Sequence, residues 1–267
     1  MNYWTQSKTN IYVAAHRGFR SQYPENTLEA FQAALDLGVD QIETDIRVSM
    51  DGELVLIHDA TVDRTTNGKG LVIEKNFAEV RTLDAGIFKG EQFKGAKIPT
   101  LIELMEMVKD HPTITLDLEL KEYPKNNPNA YEVCDRVLKI VDEYNFTDRV
   151  VLNTWSGQLH EYIFTTYGKK YRQHAYYPIH HLGRGMTIDP YSYAYCTCMF
   201  KSLFSDIDMA TKAEFDTMEA LGPQPWAGAG VKDERGVDLA IAAGATLITC
   251  DNPDVILDLL RKKGYHQ

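Results

Sequence analysis

Short apolar runs alternate with stretches of helical spacing along almost the whole chain. Ile11 to Ala15 (IYVAA) reads as a buried strand, and Thr27 to Leu37 (TLEAFQAALDL) repeats its apolar positions at helical intervals before Gly38 stops it. Gln41 to Val48 (QIETDIRV) alternates as a strand, Asp51-Gly52 marks a hairpin turn, and Glu53 to Ile57 returns toward His58. Residues 60 to about 98 break the rhythm, because TTNGKG and FKGEQFKGAKIP carry turn chemistry; they read as an insertion.

After Pro99 the alternation resumes, with a helix at Leu101 to Lys109, a strand at Thr113 to Leu120, a helix at Tyr131 to Tyr144 and a strand at Arg149 to Asn153. The signal is fainter as far as Tyr195. It sharpens again with a helix near Asp208 to Leu221, a short run at Pro225 to Val231, a helix near Asp233 to Ala243, a strand at Ala245 to Cys250 and a last helix from Pro253 to Lys263. Strands alternating with helices imply parallel βαβ units. Roughly eight of them predict an α/β protein, a single (β/α)8 TIM-barrel domain over residues 1–267, with 60–98 as a small inserted subdomain after the second-strand hairpin. The first strand lacks G-x-G-x-x-G, which weakens an open dinucleotide-binding sheet as the alternative.

Polar residues gather at the C-terminal ends of the predicted strands, the catalytic face of such a barrel. Glu43 and Asp45 stand two apart on one strand, so both carboxylates face one space and repel each other unless a cation lies between them. Glu119 can add a third oxygen. A set of carboxylates without His or Cys suits a hard divalent cation, Mg²⁺ or Ca²⁺, better than zinc. His16 and His58 each follow a buried-strand run and emerge at the same rim, where two imidazoles can serve as acid and base near neutral pH. Arg17 can fork onto a phosphate and Lys121 can set a point charge beside it. His111, His160, His174 and His266 show no polar constellation and read as ordinary structural histidines; His180-His181 reads equally as a substrate contact or a surface loop. Cys196-x-Cys198 reads as two small packing residues.

The charge balance changes how an anion could be held. With 28 basic and 38 acidic side chains the net charge is −10, so there is no basic stripe for nucleic acid, and any anionic ligand must meet locally concentrated positive charge. Four cysteines form neither a disulfide framework nor a zinc spacing, and they read as buried thiols in a reducing compartment. No apolar run suits a membrane span and the first residues do not resemble a secretory signal, so the expectation is a cytoplasmic protein without stable membrane insertion.

Taken in order, His16-Arg17-Gly18, Pro24-Glu25-Asn26-Thr27, Glu43-Thr44-Asp45, His58-Asp59, the run Thr61 to Gly68, Leu116 to Lys121 (LDLELK) and Thr249 to Asp254 resemble the glycerophosphodiester phosphodiesterase family over nearly the whole chain. The resemblance implies a barrel that hydrolyses small-molecule glycerophosphodiesters to glycerol 3-phosphate and an alcohol. It implies one divalent metal on Glu43, Asp45 and Glu119, and His16 and His58 as the acid/base pair. Related barrels with the same site act as phospholipase D-like enzymes on lysophospholipids or sphingolipids, and a silent phosphodiester-binding protein is the non-enzymatic alternative. Two departures stand out. The usual W-T-V-N block is replaced by Trp226-Ala227-Gly228-Ala229-Gly230, with Trp226 expected in the pocket wall. A Tyr-rich stretch from Tyr171 to Tyr195 either lines a polyol or choline pocket or packs in the core.

Overall fold

The computed structural model describes residues 2–200 and 209–267. Its strands are β1 (Tyr12–His16), β2 (Gln41–Val48), β3 (Leu54–Leu56), β4 (Thr115–Leu120), β5 (Val150–Asn153), β6 (Arg172–Tyr177), β7 (Cys196–Met199), β8 (Gln224–Trp226) and β9 (Leu247–Cys250). All but β3 run parallel, in the order β8-β7-β6-β5-β4-β2-β1-β9, while β3 folds back antiparallel on β2. The ends of that path meet: Ala227 N–H donates to the Leu247 carbonyl at 2.9 Å and Thr249 N–H to the Ala227 carbonyl at 3.0 Å. The result is the expected (β/α)8 barrel, in which closure joins the two ends of the parallel sheet.

The surrounding helices are α1 (Leu28–Leu37), α2 (Phe77–Thr82), α3 (Leu101–Val108), α4 (Ala130–Glu143), α5 (Gly157–Tyr167), α6 (Lys212–Leu221), α7 (Glu234–Ala243) and α8 (Pro253–Lys263). Local chemistry sets their ends. Thr27 caps α1 by accepting from Ala30 N–H, and Gly38 ends it in the left-handed region. A capping box between Thr211 and Glu214 starts α6 at Lys212, later than the apolar spacing predicts; Asp208 lies outside the described residues. The faint stretch before Tyr195 holds α5 and β6, and β7 follows at Cys196. Strand β7 is buried along its length and carries Cys196 and Cys198.

The period-two alternation of strands explains what fills the barrel. At its lower end Ala14, Val151, Cys196, Trp226 and Leu247 close around Trp4, which enters from the N-terminal segment and donates its indole N–H to the Asp148 carbonyl at 2.7 Å. Two residues further along the same strands, or just past them, stand His16, Asn153, Cys198, Gly228 and Thr249, all of which line one cavity at the upper end. An apolar plug below and polar groups above thus arise from one alternation. Ile42, Ile46, Leu116, Leu118 and Leu120 face the opposite way and pack under the helices.

Residues 60–98 hold α2 and two short 3₁₀ turns, and Val62, Val72, Val80, Ala85 and Ile98 form a small apolar cluster against Val55 and Ile57. Lys89 Nζ ties this segment to the β1–α1 loop through the carbonyls of Arg20 and Ser21, at 2.7 and 2.8 Å.

Candidate active site

The upper cavity encloses about 200 Å³ and collects His16, Arg17, Glu43, His58, Glu119 and Lys121 on one side. Asp45 lies against them, fully buried. Ligand oxygens of Glu43, Asp45 and Glu119 fall within 4.8 Å of one another, so the three carboxylates singled out on the strands do converge.

The two imidazoles are held alike. Asp251 fixes His16 at Nδ1 (2.6 Å) and Asp59 fixes His58 at Nδ1 (2.7 Å), which leaves Nε2 of each ring for other contacts; that of His16 lies 3.9 Å from Glu43. A carboxylate on Nδ1 selects the tautomer and orients the ring. Burial pushes His16 below the usual histidine range. Burial, followed by the Lys121 charge, brings His58 down to about 4. Arg64 braces the second pair by donating to both Asp59 and Glu25.

Arg17 sits at φ +57, a left-handed conformation rare for a residue with a side chain. The next residue is Gly18 at φ +77, where a Cβ would come within 2.8 Å of Ala30, so no other residue fits this turn. The turn aims Arg17 N–H at Glu43 Oε2 (2.9 Å), while the guanidinium reaches Glu25 (3.0 Å) and Asp45 (3.2 Å). Lys121 Nζ lies 2.5 Å from Glu119 and 3.1 Å from Asp45. Burial opposes the charge on Lys121, yet Glu119 and Asp45 outweigh it and hold the ammonium firmly protonated. Asn26, also at positive φ, donates to Asp45 at 2.8 Å and accepts from Thr44 at 2.8 Å.

The charge count tests whether a divalent cation fits. Four carboxyl groups, Glu43, Asp45, Asp117 and Glu119, are buried here with two cationic side chains, Arg17 and Lys121. Burial, then the neighbouring Asp45 and Glu119 charges, raises Glu43 well above the carboxylate range. An oxygen-only cluster with that excess suits one hard dication.

The far wall is built largely from aromatic rings. Trp226 is fully buried one inward position below the cavity, in the plug with Trp4, and the wall position two residues on is Gly228. Trp226 meets the site only indirectly, its ring edge-on to His174 at 5.0 Å. A Cβ at Gly228 would come within 2.5 Å of the Phe200 ring and 2.9 Å of Cys198 Sγ, so the missing side chain lets that ring close on the cavity. Trp155 and Tyr176 stack at 4.2 Å and Phe200 lies parallel to Tyr176 at 5.8 Å. Among the tyrosines of the Tyr-rich stretch, Tyr176 lines this cavity; Tyr171 and Tyr193 are buried, and His180 and His181 border a neighbouring groove with Lys125 and Arg184. Asn153 and His174, unremarkable in the sequence, also line it, as does Asp117, whose place two residues before Glu119 puts it on the same inward face of β4; His174 Nδ1 lies 2.7 Å from Asp117. His160 instead braces β5 to β6 through the Thr154 carbonyl and Gln173. All four cysteines are buried free thiols.

Fold and cavity together define a (β/α)8-barrel protein whose upper face offers an oxygen-ligand cluster beside two fixed cationic side chains. The sequence pattern of the glycerophosphoryl diester phosphodiesterase family matches residues 16–255, and the chain belongs to that family. Among its relatives, a glycerophosphodiester phosphodiesterase of Caldanaerobacter subterraneus subsp. tengcongensis is 44% identical over 144 residues, covering 54% of this chain and 58% of that protein. One from Bacillus altitudinis is 36% identical over 143 residues, 54% of this chain and 57% of that protein. The chain spans about half the length of the curated relatives it matches. Two solved structures share the fold at 23% identity. A glycerophosphoryl diester phosphodiesterase named as putative, from Silicibacter pomeroyi, has a TM-score of 0.80 and covers 97% of this chain and 95% of that one. A phosphodiesterase from Oleispira antarctica, solved with the product sn-glycerol-3-phosphate, has a TM-score of 0.77 over 94% and 96%.

Proposed function

We propose that the protein hydrolyses glycerophosphodiesters to glycerol 3-phosphate and an alcohol, with one Mg²⁺ or Ca²⁺ held by Glu43, Asp45 and Glu119. The observation that carries this reading is the pair His16 and His58, each fixed at Nδ1 by a carboxylate and both bordering the cavity that holds the three-carboxylate cluster. When bound, the cation supplies Lewis-acid stabilisation of a non-bridging phosphate oxygen.

A phosphodiester monoanion repels its nucleophile and has a poor alkoxide leaving group. Arg17 and Lys121 set positive charge at the cavity wall, where it offsets the charge that builds on the phosphate. His16 acts as base toward the nucleophile, water or the neighbouring glycerol hydroxyl, and Asp251 stabilises the imidazolium that forms. His58 returns a proton to the departing alcohol. Burial and Lys121 hold His58 near 4 in the free protein, and a phosphodiester anion bound beside it favours the protonated ring. Residues 60–98 act in this reading as an inserted unit that carries Arg64 to the Asp59–Glu25 edge.

The test is glycerol 3-phosphate release from a panel of diesters with EDTA, then with Mg²⁺ or Ca²⁺ restored, alongside His16→Ala. Release that needs the cation and falls about 10²-fold or more in the variant is expected. Release indifferent to both would overturn the assignment.

A further inference from the structure

We infer that the cavity floor beside the carboxylate cluster is a polyol subsite, where His174 and Asn153, with Asp117 behind His174, bond hydroxyl groups of the ligand. The inference rests on the diester reading and names what that site recognises.

His174 and Asn153 are each 3% exposed and Asp117 is fully buried, yet all three line the cavity. The strand register carries them round from the cluster: Glu119 pairs with Asn153 across β4–β5, and Asn153 pairs with His174 across β5–β6. The Asp117 carboxylate accepts from His174 Nδ1–H at 2.7 Å, the same arrangement that holds His16 and His58. His174 Nε2, Asp117 Oδ1 and Asn153 Oδ1 then find no hydrogen-bond partner among the described residues. Asn153 engages the Tyr176 side chain and still leaves that oxygen over.

Buried polar atoms are costly unless something bonds them, and the three residues that carry these line a space that a ligand can enter. A hydroxyl suits all of them. It both donates and accepts, so it satisfies Nε2 whether the ring is neutral or charged, and it can donate to either oxygen. A quaternary ammonium carries no N–H and a phosphate is acceptor-rich, so neither answers this set. Trp155, Tyr176 and Phe200 supply the complementary surface, a flat apolar wall for the C–H faces of a short polyol. The hydroxyls can belong to the glycerol unit of the substrate or to a hydroxylated leaving alcohol; the chemistry recognised is the same.

The experiment compares kcat and KM for sn-glycero-3-phosphoglycerol and sn-glycero-3-phosphocholine in the wild-type protein, His174→Leu and Asp117→Asn, with Tm recorded for each. Asp117→Asn keeps the imidazole and carries the test if His174→Leu does not fold. A KM about tenfold higher for both diesters places the contact on the glycerol unit, and a rise confined to glycerophosphoglycerol places it on the leaving alcohol; either supports the subsite. Unchanged KM for both, with only Tm lowered, overturns it and leaves the pair a structural one. If the wild-type protein cleaves neither diester, the hydrolase reading fails instead. Calorimetric binding of intact glycerophosphoglycerol then decides the subsite: about tenfold weaker in a folded variant supports it, while equal or absent binding overturns it.

Discussion

The two sides of the cavity are built on opposite terms. Toward β1–β4 the charged groups are matched to one another: His16 with Asp251, His58 with Asp59, Arg17 with Glu25 and Asp45, Lys121 with Glu119 and Asp45. Toward β5–β8 the wall is largely aromatic, and Asn153 Oδ1 and His174 Nε2 on it have no partner among the described residues. A densely ion-paired network fixes reacting groups in place and tolerates little change. An unsaturated, apolar wall leaves its bonding to whatever enters, so it selects a ligand without fixing the chemistry.

Four measurements sharpen or break that contrast, the largest effect first. His16→Ala and His58→Ala are each expected to lower kcat by about 10² to 10⁴ with little effect on KM, the scale of general acid–base catalysis, whereas His174→Leu should act on KM; steady-state kinetics on all three checks this. Loss of kcat in His174→Leu as large as in His16→Ala would erase the distinction between the sides. Next, Lys121→Ala leaves Glu119 and Asp45 buried beside one another without their ammonium. Urea unfolding in EDTA should show a loss of about 3 kcal/mol, the range for breaking a buried ion pair.

The third concerns His160 on the far side, which burial holds down to about 4, against an ordinary value near 6.5. The unfolded chain takes up a proton on this group as pH falls below 6.5 and the folded chain does not until about 4, so stability is fully present above that window and lost through it. Its share is a slope of up to about 1.4 kcal/mol per pH unit. Unfolding curves between those limits should be flatter in His160→Gln. The smallest effect is at Arg64, whose side chain is 45% exposed. Arg64→Ala should cost under about 1 kcal/mol of stability, as exposed pairs do, yet lower kcat several-fold by loosening Asp59 behind His58. Unaltered kinetics would show that Asp59 holds His58 unaided.

The same contrast explains what could be read from the sequence. On the β1–β4 side the polar residues interrupt strongly apolar strands, as Glu43 and Asp45 do between Ile42 and Ile46, so alternation alone marks them as inward-facing. The far side offers no such interruption. His174 lies on a strand, RQHAYY, whose polar and aromatic residues mask any alternation, and Asp117, its partner, is 57 residues away in sequence. Strand β7 is short and cysteine-rich, and β8 is three residues with a proline, so neither announces itself. Trp226 stands one layer below the wall, in the plug, and the position that shapes the wall is Gly228, which carries no side chain for a sequence pattern to mark. Asn26 and Gly18 were visible only as part of a family pattern; their physical reasons, a donor to Asp45 and a turn without room for a Cβ, exist only in the folded chain.

The placement of the three tryptophans gives the molecule an optical property. Trp4 and Trp226 are sealed together in the plug, away from any ligand, while Trp155 stands on the cavity wall against Tyr176. Of the three indoles, one can exchange water for ligand and two cannot. Occupancy of the cavity is therefore written into the emission of a single native chromophore, read against two others that stay constant.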